Sequence, residues 1–137
     1  MQLRQNLNYF NYEIKAINTL MTTIFVNLEA KGSNNGSSWS NAYTNLQTAI
    51  ANAKSGDEIW VAKGIYRPTL KTERTVSFVL KNGVKMYGGF AGNETSINQR
   101  DIEKNVTKLS GDIGTQGSNS DNTYNVVDIS NTTKDSV

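Results

Sequence analysis

The reactive side chains in this sequence are few in kind. It contains no histidine and no cysteine, which excludes thiol nucleophiles, imidazole bases, disulfides and the commonest zinc or haem ligands. Any catalysis would fall to carboxylates, lysines or tyrosines. Asp57 and Glu58 are adjacent carboxylates at the entrance of an extended run. Neighbours in a strand point to opposite faces, so the two cannot flank one bond as an acid/base pair, and they read as a polar corner. Glu94, Asp101, Glu103 and Asp112 would offer oxygens to calcium if loops gathered them. Neither an EF-hand nor a glycine-aspartate nonapeptide pattern supports that. The competing reading is a local ion network of Glu94, Arg100 and Asp101, with Ser96 and Gln99 capping a short helical turn. No catalytic, metal-binding or cofactor-binding residue is assigned.

Basic and aromatic residues give a different chemistry. Tyr66, Arg67, Lys81, Lys85 and Tyr87 form the candidate ligand-binding surface, with Lys71 and Arg74 close by in sequence. Cations beside an exposed ring suit an acidic polysaccharide or a sugar face; the alternative is an ordinary solvated face. Trp39, set among small polar residues, is read as pinning its loop onto a core in preference to binding sugar. Asn35, Asn93, Asn105 and Asn131 each begin a glycosylation sequon, which a chain rich in Asn, Ser and Thr produces by chance.

These side chains need elements to position them. Ile24, Phe25, Val26 and Asn27 alternate faces as a short strand, and the turn-rich Lys31-Gly-Ser-Asn-Asn-Gly-Ser-Ser38 follows. Thr44 with Gln47 resembles a capping box, and Leu46, Ala49, Ile50 and Ala53 share one helical face, so a helix is predicted over 45–53. Lys54 in the last turn and Gly56 as a left-handed stop end it. So short a helix must cover something to persist. After Gly56 the apolar period becomes two: Ile59 and Val61, then Val76, Phe78 and Leu80, then Val84 and Met86 are predicted to point inward. Leu109 and Ile113 flank a Gly-Asp turn, and Val127 and Ile129 are the inward pair of the last run.

An internal repeat decides among β architectures. Val84-Lys-Met-Tyr-Gly-Gly-Phe90 realigns with Thr107-Lys-Leu-Ser-Gly-Asp-Ile113 at an offset of 23 residues, and Lys63-Gly-Ile65 with Gly88-Gly-Phe90 at 25. Such a period with short strands predicts an all-β, right-handed parallel β-helix, a solenoid whose coils stack at about 4.8 Å, with a short N-terminal capping α-helix. Its narrow core accounts for an apolar content of only 36%. The alternative, an antiparallel sandwich, needs Asn-Gly or Asp-Gly hairpins between strands, and only Asn82-Gly83 lies where one would serve.

The 137 residues fit one domain, divided as an extension over 1–23 and the predicted β-helix cap and coils over 24–137. The extension lacks the apolar run of a signal peptide, although Leu7, Phe10, Ile14 and Ile17 recur at helical spacing; no membrane span is visible. Net charge is +2, with eight Lys/Arg against four Asp/Glu over 67–108 and −3 after Leu109. That mild polarity carries no nucleic-acid signature.

Several strings are recognisable. Gly56-Asp-Glu-Ile-Trp-Val-Ala-Lys-Gly-Ile-Tyr-Arg-Pro68, Leu80-Lys-Asn-Gly-Val-Lys-Met-Tyr-Gly-Gly-Phe-Ala-Gly92, Gln99-Arg-Asp101 and Leu109-Ser-Gly-Asp112 resemble the opening of bacterial pectin-lyase-like parallel β-helix repeat proteins. Asn34-Asn-Gly-Ser-Ser-Trp-Ser-Asn-Ala-Tyr-Thr-Asn-Leu-Gln47 is similar to that family's N-terminal cap, and the match spans about residues 22–130. The resemblance implies an extracellular or cell-surface protein facing polysaccharide, adhesin-like and without chemistry in this segment. Two alternatives stand beside it: the leading part of a polysaccharide lyase or glycosidase whose active site lies beyond this chain, and a structural module that self-associates through an open strand edge at its C-terminal end.

Overall fold

The computed structural model describes residues 21–130 and Thr132. The Leu7, Phe10, Ile14 and Ile17 stripe and the Asn131 sequon lie outside the described residues. β1 (Thr23–Val26) is followed by a long loop and α1 (Leu46–Asn52). Then come β2 (Glu58–Ala62), β3 (Gly64–Tyr66), β4 (Phe78–Val79) and β5 (Lys85–Phe90). A 3-10 turn at Ile97–Gln99, β6 (Thr107–Leu109) and β7 (Val127–Asp128) complete the order. β1, β2 and β5 form one parallel sheet in that order, β3 pairs with β6, and β4 pairs with β7, both also parallel.

This arrangement corrects the expected fold class. The described chain is a small mixed α/β domain with one α-helix and three separate parallel sheets of two or three strands. It is not an all-β right-handed β-helix, because no closed solenoid forms. The ladder registers supply the reason. Glu58 pairs with Lys85, Gly64 with Thr107 and Phe78 with Val127, steps of 27, 43 and 49 residues. Connections of such unequal length do not repeat a coil. Nor do the segments 84–90 and 107–113, which realign in sequence, pair with each other: β5 lies against β2, and β6 against β3. The repeat records similar local chemistry without a shared ladder.

The helix forms where its apolar spacing places it, with Leu46, Ala49, Ile50 and Ala53 all buried. Its cap differs from the expected one. Asn45, not Thr44, is the N-cap, its side-chain oxygen accepting from the Gln47 and Thr48 amides. Gln47 reaches out of the helix and donates to the Pro68 and Ser77 carbonyls. At the other end the Lys81 ammonium donates to the Ala51 and Ala53 carbonyls, a cation on the negative end of the helix.

One apolar core joins the helix to all three sheets, through Leu46 and Ile50, Ile59 and Val61, Tyr66, Phe78 and Leu80. β2 departs from simple alternation because Trp60 and Ala62 are buried as well. Its outer face is covered by an aromatic cluster in which Trp60 stacks on Phe90 at 4.8 Å and meets Phe25 edge-on at 5.8 Å. A second correction concerns the last run. Val127 and Ile129 are 36% and 46% exposed, and Val126 is the residue that packs on the core.

The two ends of the sheets are finished differently. At the β1 end, Phe25 and Tyr43 exchange backbone hydrogen bonds with neighbours: the Phe25 amide donates to the Gly36 carbonyl, Tyr43 to Phe25, and Asn27 to Tyr43. The loop that does this depends on Gly36, whose φ is 75° and where a Cβ would sit 2.6 Å from the Tyr43 ring. β5 is the other outermost strand of the three-stranded sheet.

Candidate functional site

Of the five residues of the sequence-derived surface, Tyr66 and Arg67 line one small cavity of about 120 Å³ with Leu28, Thr44 and Leu70. Tyr66 is 2% exposed, its hydroxyl donates to the Ala62 carbonyl at 2.9 Å, and burial pushes its pKa up to about 12. It is a core residue, which removes it from the proposed surface. Arg67 donates from Nε to the Asp112 carbonyl at 2.6 Å. Lys81 caps the helix as described. Lys85 and Tyr87 lie along β5, where the Arg100 guanidinium stands 5.3 Å from the centre of the Tyr87 ring.

The acidic residues are likewise engaged in structure. Asp57 accepts from the Lys54 amide at 2.8 Å, and Glu58 accepts from the Trp60 indole at 3.1 Å. Asp101 accepts from the Glu103 and Lys104 amides. The expected Glu94, Arg100 and Asp101 network is replaced by backbone contacts, while the Ser96 and Gln99 capping box is present. Among the described residues no group of three or more acidic side chains is placed to hold a metal ion.

Trp39 stands in the wall of an open groove. A groove of about 740 Å³ is lined by Asn27, Glu29, Lys31, Ser38, Trp39 and Ser40, with Gly32 and Gly92 as its backbone floor. Trp39 is half-buried. Its ring meets Phe25 edge-on at 4.8 Å and tilts against Phe90 at 5.5 Å, so the groove wall continues into the aromatic cluster outside β2. Its indole Nε1 donates to the Glu94 carbonyl oxygen at 2.8 Å, across 55 residues of sequence. The loop is therefore pinned as the sequence implied, and the same side chain also faces a groove.

Glu94 holds the other side of that pin. Its carboxylate accepts from the Ala91, Gly92 and Asn93 amides at 2.6, 3.0 and 3.0 Å. Burial raises its pKa, but these backbone donors outweigh burial and leave the carboxyl below its ordinary value. Gly92 in this turn has φ 105° and faces Asn27 so closely that a Cβ would lie 3.0 Å from the amide nitrogen. Asn27 in turn accepts from the Glu29 amide. The groove thus has a rigid aromatic wall, amide and hydroxyl groups along its rim, and one acidic and one basic side chain. Such a lining offers hydrogen bonds and an apolar face.

Sequence reasoning identified Trp39 and missed the groove. Asn27 and Gly92 carry no signal of a site in their own neighbourhoods, and only the β1–β2–β5 ladder brings them together. Comparison with protein-family models, with curated proteins and with solved structures finds no match for the chain. Among the described residues no helix is long and apolar enough to cross a membrane.

Proposed function

We propose that this chain is a non-catalytic, polysaccharide-binding module of a secreted or cell-surface protein, and that it binds through the Trp39 groove. The observation that carries the reading is a half-buried indole, locked by the Glu94 carbonyl and two phenyl rings, in a groove rimmed by Asn27, Ser38 and Ser40. A sugar ring presents an apolar C–H face and a rim of hydroxyls. A fixed aromatic surface with short amide and hydroxyl side chains complements both, and an ordered indole loses little side-chain entropy on binding. Glu29 and Lys31 balance in charge, which favours a neutral glycan over a polyanion. The resemblance of the quoted strings to pectin-lyase-like proteins supports the same ligand class and an exported location. Asp57, Glu58 and Glu94 are occupied by backbone and indole donors.

The test is affinity electrophoresis and tryptophan fluorescence against a soluble neutral xylan, a soluble β-glucan and polygalacturonate. Retardation on a neutral glycan that Trp39→Ala reduces by about tenfold, or about 1.4 kcal/mol, is the expected result. Unchanged binding in Trp39→Ala, or no retardation by any of the three, sinks the proposal.

A further inference from the structure

We propose, on the premise that the Trp39 groove binds glycan, that the site continues over the Gly92 turn into a second, polar subsite, so that the ligand is read as a chain of linked sugar rings and not as a single sugar. A cavity of about 490 Å³ is lined by Asn93, Glu94, Gln99, Asp101, Lys104 and Asn105. Gly92 lies in the floor of the groove, while Ala91 and Asn93, its neighbours in the chain, line this cavity. Consecutive Cα atoms stand about 3.8 Å apart, so a single turn of backbone separates the two concavities. Glu94 serves both: its carbonyl oxygen holds the Trp39 indole, and its carboxylate gathers the amides of the turn.

The two concavities differ in chemistry. The groove supplies an aromatic platform for the C–H face of one ring. None of the described residues lining the cavity is aromatic, and carboxamides, a carboxylate and an ammonium take that place, which suits the hydroxyls of the next ring. Part of this wall is fixed in advance. The Gln99 side-chain oxygen accepts from the Thr95 and Ser96 amides at 2.7 and 3.1 Å. Asp101 accepts from the Glu103 and Lys104 amides, and its own amide donates to the Gly89 carbonyl at 2.8 Å. Groups held in this way lose little freedom when a ligand arrives. The Asn93 carboxamide and the Lys104 ammonium are exposed and have no hydrogen bond to another described residue, which leaves them to the ligand. Asp101 and Lys104 balance in charge, as Glu29 and Lys31 do in the groove, so both subsites suit a neutral chain. A single sugar occupies one surface; a linked chain engages both, because its second contact is intramolecular.

The test is calorimetric and fluorescence titration of the full chain with xylan- and β-glucan-derived oligosaccharides of increasing length, from a single sugar upward. It is repeated on Trp39→Ala and on the double variant Asn93→Ala with Lys104→Ala, whose exposed side chains hold nothing in the fold and whose circular dichroism spectrum should match that of the unsubstituted chain. Affinity should rise with length until the ligand spans both concavities and then level off. The double variant should weaken the longest oligosaccharide about fivefold, the scale of one lost hydrogen bond, and leave the shortest ligand that binds unaffected, whereas Trp39→Ala weakens both. Affinity independent of length, or a double variant that binds the longest oligosaccharide as well as the unsubstituted chain does, overturns the second subsite and leaves the Trp39 groove standing. So does equal weakening of the shortest and the longest ligand by the double variant. Failure of every oligosaccharide to bind, or indifference to Trp39→Ala, overturns the glycan reading and the subsite with it.

Discussion

Glu94 joins two parts of the molecule that sequence separates. Its carboxylate gathers three amides, and its carbonyl oxygen holds the Trp39 indole. Glu94→Ala should cost about 2 kcal/mol, the usual scale for hydrogen bonds to a buried charged group, and should raise hydrogen exchange at the Trp39 indole; denaturant melts and exchange spectra check both. Because the carboxyl sits below its ordinary value in the folded chain, its contribution is complete above the unfolded pKa and is lost as pH falls through the folded one. Groove affinity and stability should hold at neutral pH and decline together under acid, while Glu94→Gln should flatten that decline. Asp128, also lowered, by its Ser130 contacts, adds to the loss in the same direction. Tyr66 acts at the other extreme. Its pKa of about 12 against about 10 in the unfolded chain means that stability present below the lower value is lost as pH rises through the higher. Tyr66→Phe should remove that alkaline sensitivity, read as the pH dependence of the unfolding midpoint.

Among the elements, the helix was the most legible in sequence. The spacing of Leu46, Ala49, Ile50 and Ala53 fixed its buried face, since a period of 3.6 has one apolar solution. Its cap was misplaced by one residue, because Thr44 and Asn45 are both capable caps and only the backbone decides between them. Asn45→Ala should cost about 1 kcal/mol and Thr44→Ala markedly less, a comparison that thermal melts resolve. The strands were legible as inward-facing sets at Ile59, Val61, Phe78, Leu80 and Val84, all buried. Their partners were not. A period of two says which residues face a core and says nothing of which strand lies alongside, so an offset of 23 was read as a ladder when the ladders step by 35, 27, 43 and 49. Val127 and Ile129 were assigned inward by that alternation and lie outward because Val126 takes the core position. The groove was illegible for a related reason: Asn27, Trp39 and Gly92 meet only after β1, β2 and β5 have paired.

At the scale of the whole molecule the chain spends a loop, a glycine with positive φ and a capped helix on closing the free edge of β1 and the core. Gly36→Ala should therefore destabilise by about 2 kcal/mol, combining a disfavoured backbone with a contact against the Tyr43 ring, and equilibrium unfolding measures it. The Trp39 groove lies between the loop after β1 and the Gly92 turn that follows β5.

The unequal ladder steps also set an order of events in time. Closing a longer loop costs more chain entropy before its contacts repay it. The β2–β5 ladder, the shortest of the four steps, can form while the later chain is still unpaired. β4 must then wait for β7, 49 residues on. During synthesis Phe78 thus leaves the ribosome well before the strand that will lie beside it. That interval is when this chain is most exposed to misassociation, and truncations ending before Val126 should accumulate in aggregates while the full chain stays soluble.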